Sequence, residues 1–167
     1  EKAMAGESVS QYALATLLAG RLYNDKNYQQ SLKWYTKAAQ RGIIAAQHEV
    51  GAALLKGKGC QQDQQKGLVW LHAAAGAGHA RSQLLLAETL MQSEHQQQGA
   101  YWLERAAMEN KYLPAQMAFA RYLIDASDKE QALKALAILA SIQKAFFDQA
   151  SVYHQMARGY AVLGQYH

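Results

Sequence analysis

Three tryptophans open the same short register. Trp34 is followed by Ala38, Ala39 and Gly42, Trp70 by Ala74, Ala75 and Gly78, and Trp102 by Ala106, Ala107 and Asn110. Offsets of four and five put small apolar side chains on one helical face, and glycine or asparagine at eight suits a left-handed helix end. The tryptophans lie 36 and then 32 residues apart. A period of that size marks a supersecondary unit that cannot bury its apolar side alone and must stack on its neighbours. The expected fold class is therefore all-α: an α/α superhelix, a solenoid of helix-turn-helix repeats. Composition agrees, with half the residues apolar and a single proline, a mix that favours helix.

The clearest unit runs from Gly42 to Gly78. Ala46, Val50, Gly51 and Leu54 share one face, Gly57 and Gly59 interrupt it, and a second face after Asp63 carries Trp70, Ala74 and Ala75. The four-residue difference in tryptophan spacing is assigned to the loop at 56–60, where added length leaves the packed faces in register. Weaker copies flank this unit. In the first, residues 1–8 read as a frayed lead-in or the tail of a preceding helix. A helix over about 9–23 turns Leu14, Leu18, Ala19 and Leu22 inward, 24–27 is a turn, and a second helix buries Tyr28, Ser31, Trp34, Tyr35, Ala38 and Ala39. The third buries Ser82, Leu86, Ala87 and Leu90. The fourth opens at Pro114, acceptable in a first helical turn, with Ala115 (or Gln116), Phe119, Ala120 and Leu123 inward. Asp128 then caps a helix packed through Ala132, Ala135, Leu136 and Leu139. A half unit follows with Met156, Ala157 and Tyr160 inward. The expected boundaries are about 9–42, 43–78, 79–110, 111–145 and 146–167, in one repeat domain over 1–167. Glu1 in place of a start methionine, and the stop at His167 where a partner helix is due, lead us to expect a piece of a longer array.

Ala46-Gln47-x-x-Val50-Gly51-x-x-Leu54, then Gly57-x-Gly59, Asp63, Lys66, Trp70, Ala74-Ala75 and Gly78, closely resemble the Sel-one-like repeat, a member of the tetratricopeptide superfamily with a longer inter-helix loop. The other units read as shorter and resemble ordinary tetratricopeptide repeats. The resemblance extends over nearly the whole chain from about residue 9. Departures are Ala135 for the aromatic, Ser31, Gly67 and Gly99 for the usual alanine, and Cys60 in the loop. The resemblance implies a right-handed superhelix whose first helices line a concave groove, and that this groove, or the loop edge, binds a peptide or partner protein. It also implies a periplasmic or cell-envelope location in a bacterium, with the cytoplasm as the alternative.

Other chemistries fit poorly. The net charge of +4 comes from scattered Lys and Arg, not the basic stripe of a nucleic-acid binder. No run nears the roughly 20 apolar residues of a membrane span. Lys56-Gly57-Lys58-Gly59-Cys60 lacks the spacing and hydroxyl of a phosphate-binding loop. The six histidines show no i, i+4 ligand spacing, so no metal site or cofactor is expected. Cys60 has no pocket to make it a nucleophile. The tryptophans, repeated in register, read as core rather than ligand anchors.

The expected function is thus a non-enzymatic scaffold for protein–protein interaction. Counting along each first helix gives the groove lining: Thr16 and Tyr23, then His48 and Lys56, then Leu84 and Glu88, then Met117, Arg121 and Ile124, and last His154 and Arg158, with Tyr122 as the aromatic most suited to it. An apolar floor with a few charges suits a peptide or helix. The alternatives are a structural spacer presenting neighbouring domains, or a cell-wall or glycan-binding module. An open repeat end carrying Met156 and Tyr160 would allow a dimer.

Overall fold

The computed structural model describes the backbone over residues 2–20, 25–145 and 150–164. Among these residues there are nine α-helices and no strand: α1 (Lys2–Gly20), α2 (Asp25–Gln40), α3 (Ile44–Lys56), α4 (Gln64–Gly76), α5 (Ala80–Met91), α6 (Gln96–Met108), α7 (Leu113–Asp125), α8 (Lys129–Ala145) and α9 (Ala150–Gly164). The lead-in of residues 2–8 is part of α1, and Lys26 and Asn27, expected in a turn, are already helical. The chain divides into two compact bodies, Glu1–Leu86 and Ala87–His167. Within the first, α1 packs on α2, α2 on α3 and α3 on α4. Within the second, α6 packs on α7, α7 on α8, and α9 on both α7 and α8.

Each of the three helical pairs that carry a tryptophan crosses where a small residue stands three places before it. Ser31 is fully buried and its hydroxyl donates to the Ala15 carbonyl at 2.7 Å. At Gly67 a Cβ would lie 3.1 Å from the Gly51 carbonyl oxygen, and at Gly99 one would lie 2.9 Å from that of Ala87. The apparent departures from alanine therefore mark backbone-to-backbone approach, which larger side chains would prevent. The tryptophans are not the deepest residues. Trp34, Trp70 and Trp102 are half-buried, and it is the next residue that is enclosed: Tyr35, Leu71 and Leu103. Arg105 lies 5.4 Å over the Trp102 ring.

Helix ends follow the register with one slip. Gly42 and Gly78 have φ of 86° and 88°. The Ile43 and His79 amides behind them donate to Ala38 and Ala74 at 3.1 and 3.0 Å, the six-to-one bond of a Schellman cap. The next repeat adds a tie: Gln47 and Gln83 side-chain amides donate to the Ala39 and Ala75 carbonyls. After α6 the left-handed residue is Lys111, φ 47°, rather than Asn110, and the loop closes one residue wider through Tyr112 N–H to the Ala106 carbonyl. Asp128 caps α8 as expected, its carboxylate accepting from the Gln131 amide. Nothing lies within 4 Å of a Cβ at Gly78, so its substitution reports the backbone alone. Gly78→Ala is expected to destabilise the N-terminal body by about 1–2 kcal/mol in urea unfolding, and Gly78→Asn by less.

Two expected faces are rotated. On α1, Leu14 is 40% exposed while Ser8, Gln11 and Ala15 are buried, because Ala15 must meet Ser31. On α9, Val152, Gly159 and Val162 are buried in place of Met156, Ala157 and Tyr160. Gly159 lets α9 close on α8, where a Cβ would touch Leu136 at 3.0 Å. The packing expected for α3, α5, α7 and α8 is found, with Ala46, Val50, Leu86, Ala87, Ala115, Ala120, Ala132 and Leu139 all enclosed.

Candidate functional site

The residues assigned to the groove fall into several environments. Thr16 is exposed on α1, its hydroxyl donating to the Tyr12 carbonyl and accepting from Tyr35. Burial raises the Tyr35 phenol above its ordinary value. Tyr23 and Leu22 lie outside the described residues. Lys56 is exposed at the end of α3, and Leu84 is half-buried on α5. In the C-terminal body Glu88, Arg121 and His154 are exposed and Met117 is half-buried. Arg158 ties α9 to α7 by an ion pair with Asp125, and also donates to Gln155. Ile124 cannot line a groove: it is 2% exposed, with its Cδ1 turned toward Gly159 of α9.

His48 is engaged rather than free. Its Nδ1 is 3.0 Å from the Ser82 hydroxyl, and His79 Nδ1 approaches the same oxygen at 2.9 Å, the two rings being 4.9 Å apart. Burial, then the charges of His79, Arg81 and Lys56, push His48 down to about 4. Counting histidines by sequence spacing missed this pair, which the cap at Gly78 brings together. The 56–60 loop has a packing role. Lys58 sits 4.0 Å over the Tyr28 ring, and a Cβ at Gly59 would lie 2.9 Å from that ring. Cys60 Sγ points at the Ala53 carbonyl and burial raises its thiol pKa, the reverse of an activated nucleophile. Among the described residues no cluster of three potential metal ligands occurs, and no helix is long and apolar enough to cross a membrane.

One concavity with a largely apolar and aromatic lining lies within the C-terminal body. It encloses about 760 Å³ between α6, α7 and α8. Phe119 and Tyr122 from α7 form its base, their rings nearly parallel at 14° with centroids 6.4 Å apart. Tyr101, Glu104 and Met108 of α6 make one wall, and Lys134, Ala137 and Ile138 of α8 the other. Large apolar groups stand open to solvent here: Tyr101 54%, Met108 53% and Tyr122 39% exposed. Lys134 is held above its ordinary range chiefly by Glu130, with a smaller contribution from Glu104. Among the described residues, Tyr122 is thus the one predicted groove residue that lines this cleft. Tyr101, just before a register tryptophan, stands where α6 turns outward.

Three consecutive matches to the Sel1 repeat model span residues 8–43, 44–79 and 81–111. The first two are equally long, so repeat one is not the shorter form expected. Tryptophan spacing measures only the loop of the later repeat of each pair and carried no information on the first. Among solved structures, a protective antigen present in uropathogenic Escherichia coli strains and displaying an SLR fold superposes with a TM-score of 0.78 at 21% identity over 92% of this chain. The chain spans 33% of the length of that antigen. A Sel1 repeat protein from Oxalobacter formigenes gives 0.61 at 20% identity, over 92% of this chain and 73% of its own. Nearly identical TPR-like repeats from Podosopora anserina, named for kinesin light chain, give 0.55 at 21% identity, over 96% and 88%. No curated protein matches the chain. The fold class is that of the α/α helical-repeat proteins. Such repeats generally mediate protein–protein interaction and typically serve as non-catalytic scaffolds. With its helical pairs matching that model over more than half of the sequence, the chain belongs to the Sel1 repeat family.

Proposed function

We propose that this chain is a non-catalytic interaction module that holds an apolar peptide segment of a partner protein in the cleft between α6, α7 and α8. The observation that carries the reading is the convergence of exposed Tyr101, Met108 and Tyr122 on one concavity. Aromatic and methionine side chains left open to water on a preformed surface recover their hydration cost when an apolar anchor covers them. The rim carries one charge of each sign, Glu104 and Lys134, so it favours no strongly charged ligand. Recognition on this surface is by side-chain insertion or by the apolar face of a short helix.

The test is selection of peptides from a displayed library against the whole chain, followed by affinity measurement on variants shown by circular dichroism to stay helical. Tyr101→Ala and Tyr122→Ala should each weaken the selected peptide about tenfold or more, as expected for central aromatic anchors. Arg121→Glu, an exposed α7 residue that does not line the cleft, should leave binding unchanged. Loss on Arg121→Glu with indifference to both tyrosine variants would move the site to the face of α7 that carries Arg121 and sink the cleft.

A further inference from the structure

The hydrogen-bond directions around Ser82 are fixed by one donor. The Ser82 backbone N–H, 3.3 Å from His79 Nδ1, can only donate, so that nitrogen carries a lone pair and His79 is protonated on Nε2. The Ser82 hydroxyl, 2.9 Å from the same nitrogen, must donate to it as well. Its oxygen then accepts from His48 Nδ1–H at 3.0 Å. Ser82 itself is fully buried. His79 immediately precedes α5, and its carbonyl takes the first helical bond from the Gln83 amide at 3.0 Å. It is therefore an N-cap residue that caps with an imidazole. The residues in the same place before α3 and α7, Ile43 and Tyr112, make no side-chain cap bond.

We propose that His79 is a proton-operated cap: protonation at Nδ1 turns its one acceptor into a donor, expels the Ser82 backbone N–H, forces the Ser82 hydroxyl to turn round and accept, and loosens the start of α5 from α3. The added charge would sit at the positive end of α5. His48 faces it from α3 and Arg81 from α5 itself, while from α4 the contact is the Ala74 carbonyl, which accepts the His79 amide. Arg81 is also felt by Glu49 on α3, and Lys56 by His48. Protonation of His48 would act differently, since it occurs at Nε2 and leaves the Nδ1–H bond intact.

Burial and Arg81 lower the His79 pKa. The folded protein thus binds this proton less readily than the unfolded chain. The cap's contribution is complete above the ordinary imidazole value of about 6.5 and is lost as pH falls below it toward the folded value.

The experiment is amide hydrogen exchange at Ser82 and Gln83 in the whole chain, corrected for intrinsic rates, beside His79→Asn, whose side-chain oxygen caps without titrating. Wild type should lose about tenfold in protection between about pH 7 and about pH 5, with His79→Asn flat across the range. Protection in wild type that does not change, or an equal loss in His79→Asn, overturns the proposal. Imidazole nitrogen NMR of the wild type at neutral pH gives a check that needs no variant. His79 must show an unprotonated Nδ1; a proton there refutes the cap.

Discussion

Gly99→Ala is expected to destabilise the C-terminal body even though alanine is the better helix former. In an open helix the exchange would gain about 1 kcal/mol. At Gly99 the new Cβ would lie 2.9 Å from both the Ala87 carbonyl oxygen and the Met91 amide nitrogen, and 2.5 Å from Met91 Cγ. The methionine can swing away, but the backbone atoms move only if α5 and α6 part. A net loss of about 1–3 kcal/mol in urea unfolding follows from overpacking of that kind. Gly67→Ala, with contacts of 3.0 to 3.1 Å, should lose less. Gly76→Ala, with nothing within 4 Å, should be neutral or gain a few tenths of a kcal/mol. A Gly99→Ala protein as stable as the parent would show that the close crossing is not what glycine supplies there.

Leu71→Ala should be the most damaging single truncation in the N-terminal body. Its side chain is wholly enclosed, and a Cβ at Gly51 would already press on Leu71 Cγ at 2.8 Å, so α3 cannot collapse onto the space without moving its backbone. A loss of about 3–4 kcal/mol is expected, a large share of the stability of a body this size. Two residues earlier, Val69 is 67% exposed, and Val69→Ala should fall within about 0.5 kcal/mol of the parent. Urea unfolding followed by tryptophan fluorescence checks both. A Leu71→Ala loss below about 1 kcal/mol would mean that the crossing relaxes freely, against the tight packing of protein interiors.

These expectations also show which parts of the fold were legible. Helix identity, repeat register and most buried faces follow from apolar spacing, and Val50, Leu86, Phe119 and Leu139 lie where it puts them. The errors fall where size outweighs hydrophobicity. Leu14 looks more buriable than Ala15, yet the α1–α2 crossing needs a carbonyl within reach of Ser31, and only a small residue permits that approach. Trp34 looks like the core, but Tyr35 is placed deeper by its position relative to the same crossing. The candidate site was less legible. Tyr122 was recognisable, whereas Tyr101, Met108 and Lys134 join it only because α6 and α8 both flank α7. Ile124 was misplaced because a ninth helix, closing through Gly159, covers it.

The seating of Lys58 and Gly59 on Tyr28 bears on how such an array could be rearranged. Counting six residues back from each register tryptophan gives Tyr28, Gln64 and Gln96. The ring that receives the glycine loop of repeat two is therefore present in the repeat before it and missing from that place in the two that follow. A copy of repeat two inserted after itself would set its loop on Gln64, with no aromatic face for the lysine and no flat surface for the glycine. The order of these neighbours is written into their side chains, so exchange of modules within the array would be selective even though every module shares one backbone plan.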